Sequence, residues 1–103
     1  MPTIKITDAN FDELVMKSEK TVLLDFYADW CGPCKMLAPV LESLADENTD
    51  IVVGKINVDD NPGLASSFRV SAIPTLVVMQ GGEAKAKQMG MLPKSEILKM
   101  LGK

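Results

Sequence analysis

The sequence contains no histidine, and cysteine occurs only twice among its 103 residues. The lack of histidine removes the usual base of Ser/His and Cys/His hydrolases and the commonest nitrogen ligand of protein metal sites. Positive charge is not in excess either, since the formal net charge is −3. The chain therefore offers no basic surface for a phosphate backbone. This composition argues against a histidine-dependent hydrolase and against a protein that binds nucleic acid.

Long apolar runs are missing as well. No segment approaches the roughly 20 apolar residues of a membrane span, and the opening "MPTIKITD" lacks the basic start and apolar run of a secretory signal. We therefore expect a cytoplasmic protein that does not bind membranes. The length and the 47% hydrophobic content are enough for one core. They predict a single domain over residues 1–103, and nothing in the sequence indicates more than a monomer.

The spacing of apolar residues predicts the element order β-α-β-α-β-α-β-β-α. Residues 21–28 and 51–58 are apolar on both faces, which is typical of interior strands in a parallel sheet. A short helix with Phe11, Leu14 and Val15 on its apolar face precedes them, and a longer helix is predicted from the cysteines to about Asn48. The predicted buried stripe of this longer helix consists of Met36, Leu37, Val40, Leu41, Leu44 and Ala45. The fold class is therefore α/β, with three layers and a mixed five-stranded sheet.

The two cysteines lie close together in "DWCGPCKM", residues 29–36. Cys31 is predicted at a helix N-terminus, where free N–H groups and the helix dipole favour a thiolate, the form that attacks disulfides. Cys34 lies one turn further into the helix and is expected to be more buried, which suits the thiol that resolves a mixed disulfide. Gly32 allows a partner to approach the backbone closely, and Pro33 restricts the ring between the sulfurs.

The cysteine pair has two other interpretations. Zinc and iron–sulfur sites need four ligands, and the chain has no second cysteine pair, so a metal would require a dimer sharing one site. An inert buried pair is the second alternative. Because reducing compartments keep ordinary thiol pairs open, a local pair in an intracellular protein favours redox chemistry, with no metal and no bound cofactor.

The segment "DFYADWCGPCK" is very similar to the active-site segment of the thioredoxin family, and the likeness extends along nearly the whole chain. "KINVDDNPGLASSFRV" resembles the third strand and following helix of that family, "AIPTLVVMQGGE" its cis-proline loop and hairpin, and "MGML" a loop near its active site. The resemblance implies a thioredoxin fold with four helices and a protein-disulfide reductase recycled by a thioredoxin reductase. Tyr27 departs from the pattern, because the family commonly has tryptophan there.

The resemblance also assigns a role to Asp25 in the middle of an apolar strand. From the residues alone, Asp25 is either a solvent-facing strand position or a functional acid, and Lys55 is an ordinary surface lysine. The resemblance implies that Asp25 is a buried carboxyl of raised pKa that accepts the proton of Cys34, through water, with Lys55 beside it.

A docking surface for client proteins is implied in the same way. The resemblance predicts a cis peptide bond between Ile73 and Pro74, facing the cysteines, with the Ile73 backbone pairing with an extended client segment. Without the resemblance, Pro74 would be an ordinary trans proline and Trp30 could equally belong to the core. The implied docking residues are Trp30, Gly32, Pro33, Ile73, Pro74, Thr75 and Gly90.

Two other functions are compatible with the sequence. Thioredoxin-like proteins can serve as binding or assembly modules in which redox turnover is incidental, and an oxidase or isomerase would differ from a reductase in redox poise.

Overall fold

The computed structural model describes residues 3–103. Within these residues a five-stranded sheet has the strand order β1-β3-β2-β4-β5. The strands are β1 (Ile4–Lys5), β2 (Thr21–Tyr27), β3 (Ile51–Asn57), β4 (Thr75–Gln80) and β5 (Glu83–Met89). β3 runs parallel to β1 and β2, whereas β4 is antiparallel to both β2 and β5. The sheet is therefore mixed, as predicted.

Four helices accompany the sheet within residues 3–103: a π-helix (Asp12–Met16), α1 (Gly32–Glu47), α2 (Pro62–Ser67) and α3 (Lys94–Met100). They follow the strands in the predicted order. The turn between β4 and β5 contains Gly81 and Gly82, whose φ angles are 58° and 79°. Two adjacent positive φ values suit a tight hairpin and favour glycine at both positions.

Two apolar layers cover the two faces of the sheet. Leu37 and Leu41 of α1 and Ile97 of α3 pack with Leu23 and Val78 on one face. On the other face, the second layer contains Val15 of the π-helix, Leu64 of α2, and strand residues Val22, Leu24, Phe26, Ile56 and Val77. Because β2 is covered on both sides, Val22 to Phe26 are all buried. The predicted three-layer architecture is confirmed.

The predicted apolar face of two helices is wrong at individual positions. The apolar spacing predicts Met36 in the buried stripe of α1, but its side chain is 69% exposed. Each residue of an α-helix turns by about 100°, and the buried positions Leu37, Leu41 and Leu44 define a face from which Met36 points away. Leu14 is likewise 41% exposed, whereas its neighbour Val15 is buried.

Candidate active site

The cysteine pair lies at the junction between β2 and α1. Cys31 and Cys34 are joined by a disulfide bond. Cys31 is the N-cap residue of α1, with φ −90° and ψ 110°, and its Sγ accepts a hydrogen bond of 3.2 Å from the Cys34 backbone N–H. Pro33 lies in the first turn of α1, where a backbone N–H has no acceptor within the helix. The lack of an N–H in proline therefore costs no hydrogen bond there. The helix N-terminus therefore directs a backbone donor at the Cys31 sulfur.

Both cysteines are buried in an apolar environment. Cys31 is 4% and Cys34 2% exposed, so the predicted difference in burial between them is small. Ala28 packs in the same cluster, and Tyr27 and Ile73 cover it from the sides. Gly32 and Pro33, by contrast, are exposed. The backbone beside the disulfide is thus open to an approaching molecule, while the sulfurs lie just below the surface.

Asp25 is buried next to the ammonium group of Lys55. The parallel register of β2 and β3 places Asp25 beside Lys55, and the Lys55 Nζ lies 3.3 Å from Asp25 Oδ2. The Asp25 side chain is 0% exposed. Neither of its oxygens accepts a hydrogen bond of normal geometry from any residue in 3–103. Burial raises the pKa of the Asp25 carboxyl, and the positive charge and contact of Lys55 offset this rise only in part.

A cavity of about 350 Å³ lies between Lys55 and Cys34. Its lining includes Tyr27, Cys34, Lys35 and Lys55. This volume is large enough for several water molecules, each of which occupies about 30 Å³ in the liquid. The cavity therefore provides a route by which water can reach both the Cys34 side of the disulfide and the Lys55 ammonium.

The loop before β4 faces the disulfide. Its Ile73–Pro74 peptide bond is cis, as predicted, and the Cys31 Sγ lies 4.0 Å from the Ile73 carbonyl oxygen. The Gly90 N–H donates a hydrogen bond of 2.7 Å to the Pro74 carbonyl. Gly90 has φ 89°, a conformation that favours glycine. Ile73, Pro74 and Gly90 are thus brought together beside Cys31.

Thr75 is buried, whereas the predicted docking residues Trp30, Gly32 and Pro33 are exposed. Its side chain is 0% exposed, and its Oγ1 donates a hydrogen bond of 2.6 Å to the Ala72 carbonyl. This hydrogen bond fixes the loop that carries Ile73 and Pro74. A docking role for Thr75 would therefore have to use its backbone.

Trp30 lies on the surface beside the disulfide and does not belong to the core. It is 70% exposed, and its Nε1–H donates a hydrogen bond of 2.8 Å to Asp59 Oδ2. Trp30 and Ile73 line a groove of about 390 Å³ together with Val58 and Val70. The sequence prediction did not include Asp59, Val58 or Val70. The acidic pair in "NVDDN" after β3 is the available signal for Asp59, but in the sequence it indicates only the capped start of the short helix that follows.

Residues 3–103 contain neither a metal-binding cluster nor a membrane-spanning helix. No cluster of three or more histidine, cysteine, aspartate or glutamate side chains there could hold a metal ion. None of the helices in that range is long and apolar enough to cross a membrane.

The family model and the relatives that match this chain carry the same family name. A family model described as Thioredoxin matches residues 2–103. A thioredoxin from Mycobacterium bovis is 49% identical over 100 residues, covering 96% of this chain and 86% of the relative. A thioredoxin from Staphylococcus haemolyticus is 48% identical over 106 residues, covering 100% and 98%. A bifunctional thioredoxin reductase/thioredoxin from Mycobacterium leprae is 47% identical over 100 residues, covering 96% of this chain and 22% of the relative.

Proposed function

We propose, for a chain that belongs to the thioredoxin family and is a thiol–disulfide oxidoreductase, a role for each cysteine of the pair. Cys31 is the attacking thiolate and Cys34 is the resolving thiol. The observation that carries this assignment is the hydrogen bond from the Cys34 N–H to the Cys31 Sγ at the N-terminus of α1. A backbone donor and the positive end of the helix dipole both stabilise a negative sulfur. Cys31 has this environment because it caps the helix, whereas Cys34 lies within the helix.

The proposed reaction transfers two electrons from the dithiol to a client disulfide. The Cys31 thiolate attacks one client sulfur, the client S–S bond breaks, and the released client thiolate takes up a proton. The Cys34 thiol then loses its proton and attacks Cys31 Sγ, so that the mixed disulfide breaks and the second client thiolate leaves and takes up a proton from solvent. The products are the Cys31–Cys34 disulfide and a client dithiol.

We propose that Asp25 accepts the proton of Cys34, through water in the cavity lined by Cys34 and Lys55. A carboxyl group with a raised pKa is a stronger base once it is ionised. Burial raises the pKa of Asp25 and so makes its carboxylate a better proton acceptor. The Lys55 ammonium, 3.3 Å from Oδ2, stabilises the ionised form that must be present before the proton is accepted.

The proposed client surface surrounds the exposed backbone beside the disulfide. Trp30 and Ile73 would supply its apolar groove. Gly32 and Pro33 would form its open edge. The hydrogen bond from Gly90 to Pro74 would hold the shape of the neighbouring loop. The Ile73 backbone would pair with an extended segment of the client, since its carbonyl oxygen is only 4.0 Å from the Cys31 Sγ. Thr75 would support this loop from beneath.

We also propose that a thioredoxin reductase returns the disulfide to the dithiol. The relative from Mycobacterium leprae, which carries both names, supports a functional link between two such proteins. The proposal needs no metal or bound cofactor, and it treats residues 1–103 as a single monomeric domain. The cytoplasmic location stays a prediction.

Two single substitutions test the assignment of the cysteines. With a disulfide-containing client such as insulin and dithiothreitol as reductant, Cys31→Ser should lower the rate of insulin reduction to that of dithiothreitol alone. Without dithiothreitol, reduced Cys34→Ser should form a stable mixed disulfide with the client through Cys31, detectable as a covalent adduct on a non-reducing gel and by mass spectrometry. Turnover of Cys34→Ser at the rate of the parent protein would contradict the resolving role. Insulin reduction that is the same with and without the parent protein would instead favour a pure binding module.

A further inference from the structure

Tyr27 contacts the cation that neighbours Asp25. Residues two apart in a strand lie on the same face of the sheet, so Tyr27 follows Asp25 along one face of β2. The Lys55 Nζ lies 4.6 Å from the centroid of the Tyr27 ring and 3.3 Å from Asp25 Oδ2. One ammonium group therefore contacts both an aromatic face and a buried carboxyl.

The ammonium needs more than the carboxyl to stay in this position. The Lys55 side chain is 19% exposed, and the cavity that it lines is open to solvent. A lysine side chain has four rotatable bonds and a strongly hydrated head, so ordering it costs free energy. Attraction between the ammonium and an aromatic face opposes that cost. The ring thus favours the rotamer in which the ammonium lies at Asp25.

We propose that Tyr27 is a positioning residue whose ring holds the Lys55 ammonium at the Asp25 carboxyl and thereby sets the pH range in which Asp25 is ionised. For catalysis the inference rests on the proposed role of Asp25 as acceptor of the Cys34 proton. For the titration of Asp25 it rests only on the contacts among Tyr27, Lys55 and Asp25.

Other titratable and charged groups also face this site. Cys34 and Lys35 of α1 and Asp29 of the β2–α1 loop line the same cavity. On the β4 side, the residue opposite Asp25 is the apolar Leu76. Burial, followed by the nearby carboxylates of Asp29, Asp25 and Asp60, raises the pKa of Tyr27. The phenol therefore stays neutral over the range in which a carboxyl titrates.

A purely structural role for the ring predicts the opposite change. If Tyr27 only shielded Asp25 from water, its removal would hydrate the carboxylate and lower the pH at which Asp25 titrates. If Tyr27 holds Lys55, its removal releases the cation and raises that pH. The direction of the shift therefore separates the two roles.

The experiment follows the Asp25 side-chain carboxyl by carbon NMR as a function of pH. The oxidised protein is used, because disulfide-bonded cysteines bind no protons and the midpoint then belongs to Asp25 without a coupled thiol. The variants are Tyr27→Leu, Tyr27→Phe, Lys55→Met and the double variant Tyr27→Leu/Lys55→Met, each checked for the native fold by its amide spectrum.

Tyr27→Leu should raise the Asp25 midpoint by about half a pH unit, the shift that corresponds to a cation–π contact at a partly exposed site. Tyr27→Phe, which keeps the ring, should leave the midpoint unchanged. Lys55→Met should raise it further, and the double variant should match Lys55→Met alone, because the ring acts only through the ammonium. If Tyr27→Leu does not fold, Tyr27→Trp serves in its place and should lower the midpoint, since tryptophan gives the strongest cation–π contact.

An unchanged or lowered midpoint in Tyr27→Leu would overturn the proposal, as would equal effects of Tyr27→Leu in the presence and absence of Lys55. The pH dependence of mixed-disulfide resolution, measured on the same variants in the reduced form, separates this inference from the proposed function. A raised Asp25 midpoint with an unchanged pH–rate profile would support the positioning of Lys55 by Tyr27 and refute the catalytic role of Asp25.

Discussion

The burial of Asp25 leads to a prediction about stability: Asp25→Asn should make the protein more stable, and the gain should grow with pH. Burial raises the pKa of Asp25 in the folded protein, so above an ordinary aspartate pKa of about 3.9 the folded protein holds a proton that the unfolded chain has released. Stability of the parent protein therefore falls as pH rises through this window and becomes level above the folded-state pKa of Asp25. The asparagine variant lacks this ionisation and should not show the fall.

The size of the effect follows from the surroundings of the carboxyl. Burying a lone carboxylate costs several kcal/mol after relaxation. The Lys55 ammonium at 3.3 Å offsets part of this, but the Lys55 side chain is 19% exposed, and solvent weakens its attraction. We expect a net gain on the order of 1 to 4 kcal/mol at pH 8 relative to pH 3. Since one proton is involved, the gain cannot grow faster than about 1.4 kcal/mol per pH unit.

Urea unfolding at a series of pH values measures this gain. The oxidised form of both proteins should be used, so that the cysteines do not contribute to the pH dependence. Asp60→Asn removes an exposed carboxyl and controls for the change in net charge. A difference between Asp25→Asn and the parent protein that stays constant from pH 3 to pH 8, or that shrinks, would refute the reasoning.

Two further predictions concern the same carboxyl and the core. Asp25→Asn should prolong the lifetime of the mixed disulfide at neutral pH by about a hundredfold, the lower end of what a general base contributes. Acid-quenched single-turnover mass spectrometry measures this lifetime. A lifetime equal to that of the parent protein would exclude Asp25 as the acceptor of the Cys34 proton. Gly54→Ala should lower the free energy of unfolding by about 1 to 3 kcal/mol, because its Cβ would lie 2.7 Å from Ile6 Cγ1 in the core. Gly32→Ala, with nothing within 4 Å of the added Cβ, is the matched control, and equal urea midpoints for the two variants would contradict the prediction.

Several features were predictable because local rules and tertiary packing agree. The apolar run of β2 is buried at Val22 to Phe26, as two-sided covering by helices requires. Cys31 caps α1 as the strand-to-helix pattern predicted. The cis peptide at Pro74 came from family resemblance, since residue composition favours the trans form. The prediction for Met36 is wrong because apolar periodicity alone does not define the edge of the buried face of α1. Which side chains at that edge are exposed depends on how the helix packs on the sheet.

The sequence by itself determined the element order, the mixed α/β class and the position of the redox pair at the start of a helix, because each depends on neighbours along the chain. Only the tertiary structure decided which side chains meet across elements. The parallel register of β2 and β3 brings Lys55 to both the Asp25 carboxyl and the Tyr27 ring. The fold likewise places Asp59 within hydrogen-bond distance of the Trp30 indole N–H. Such contacts join residues about 30 positions apart, and their geometry depends on strand pairing and helix packing, which local sequence patterns do not specify.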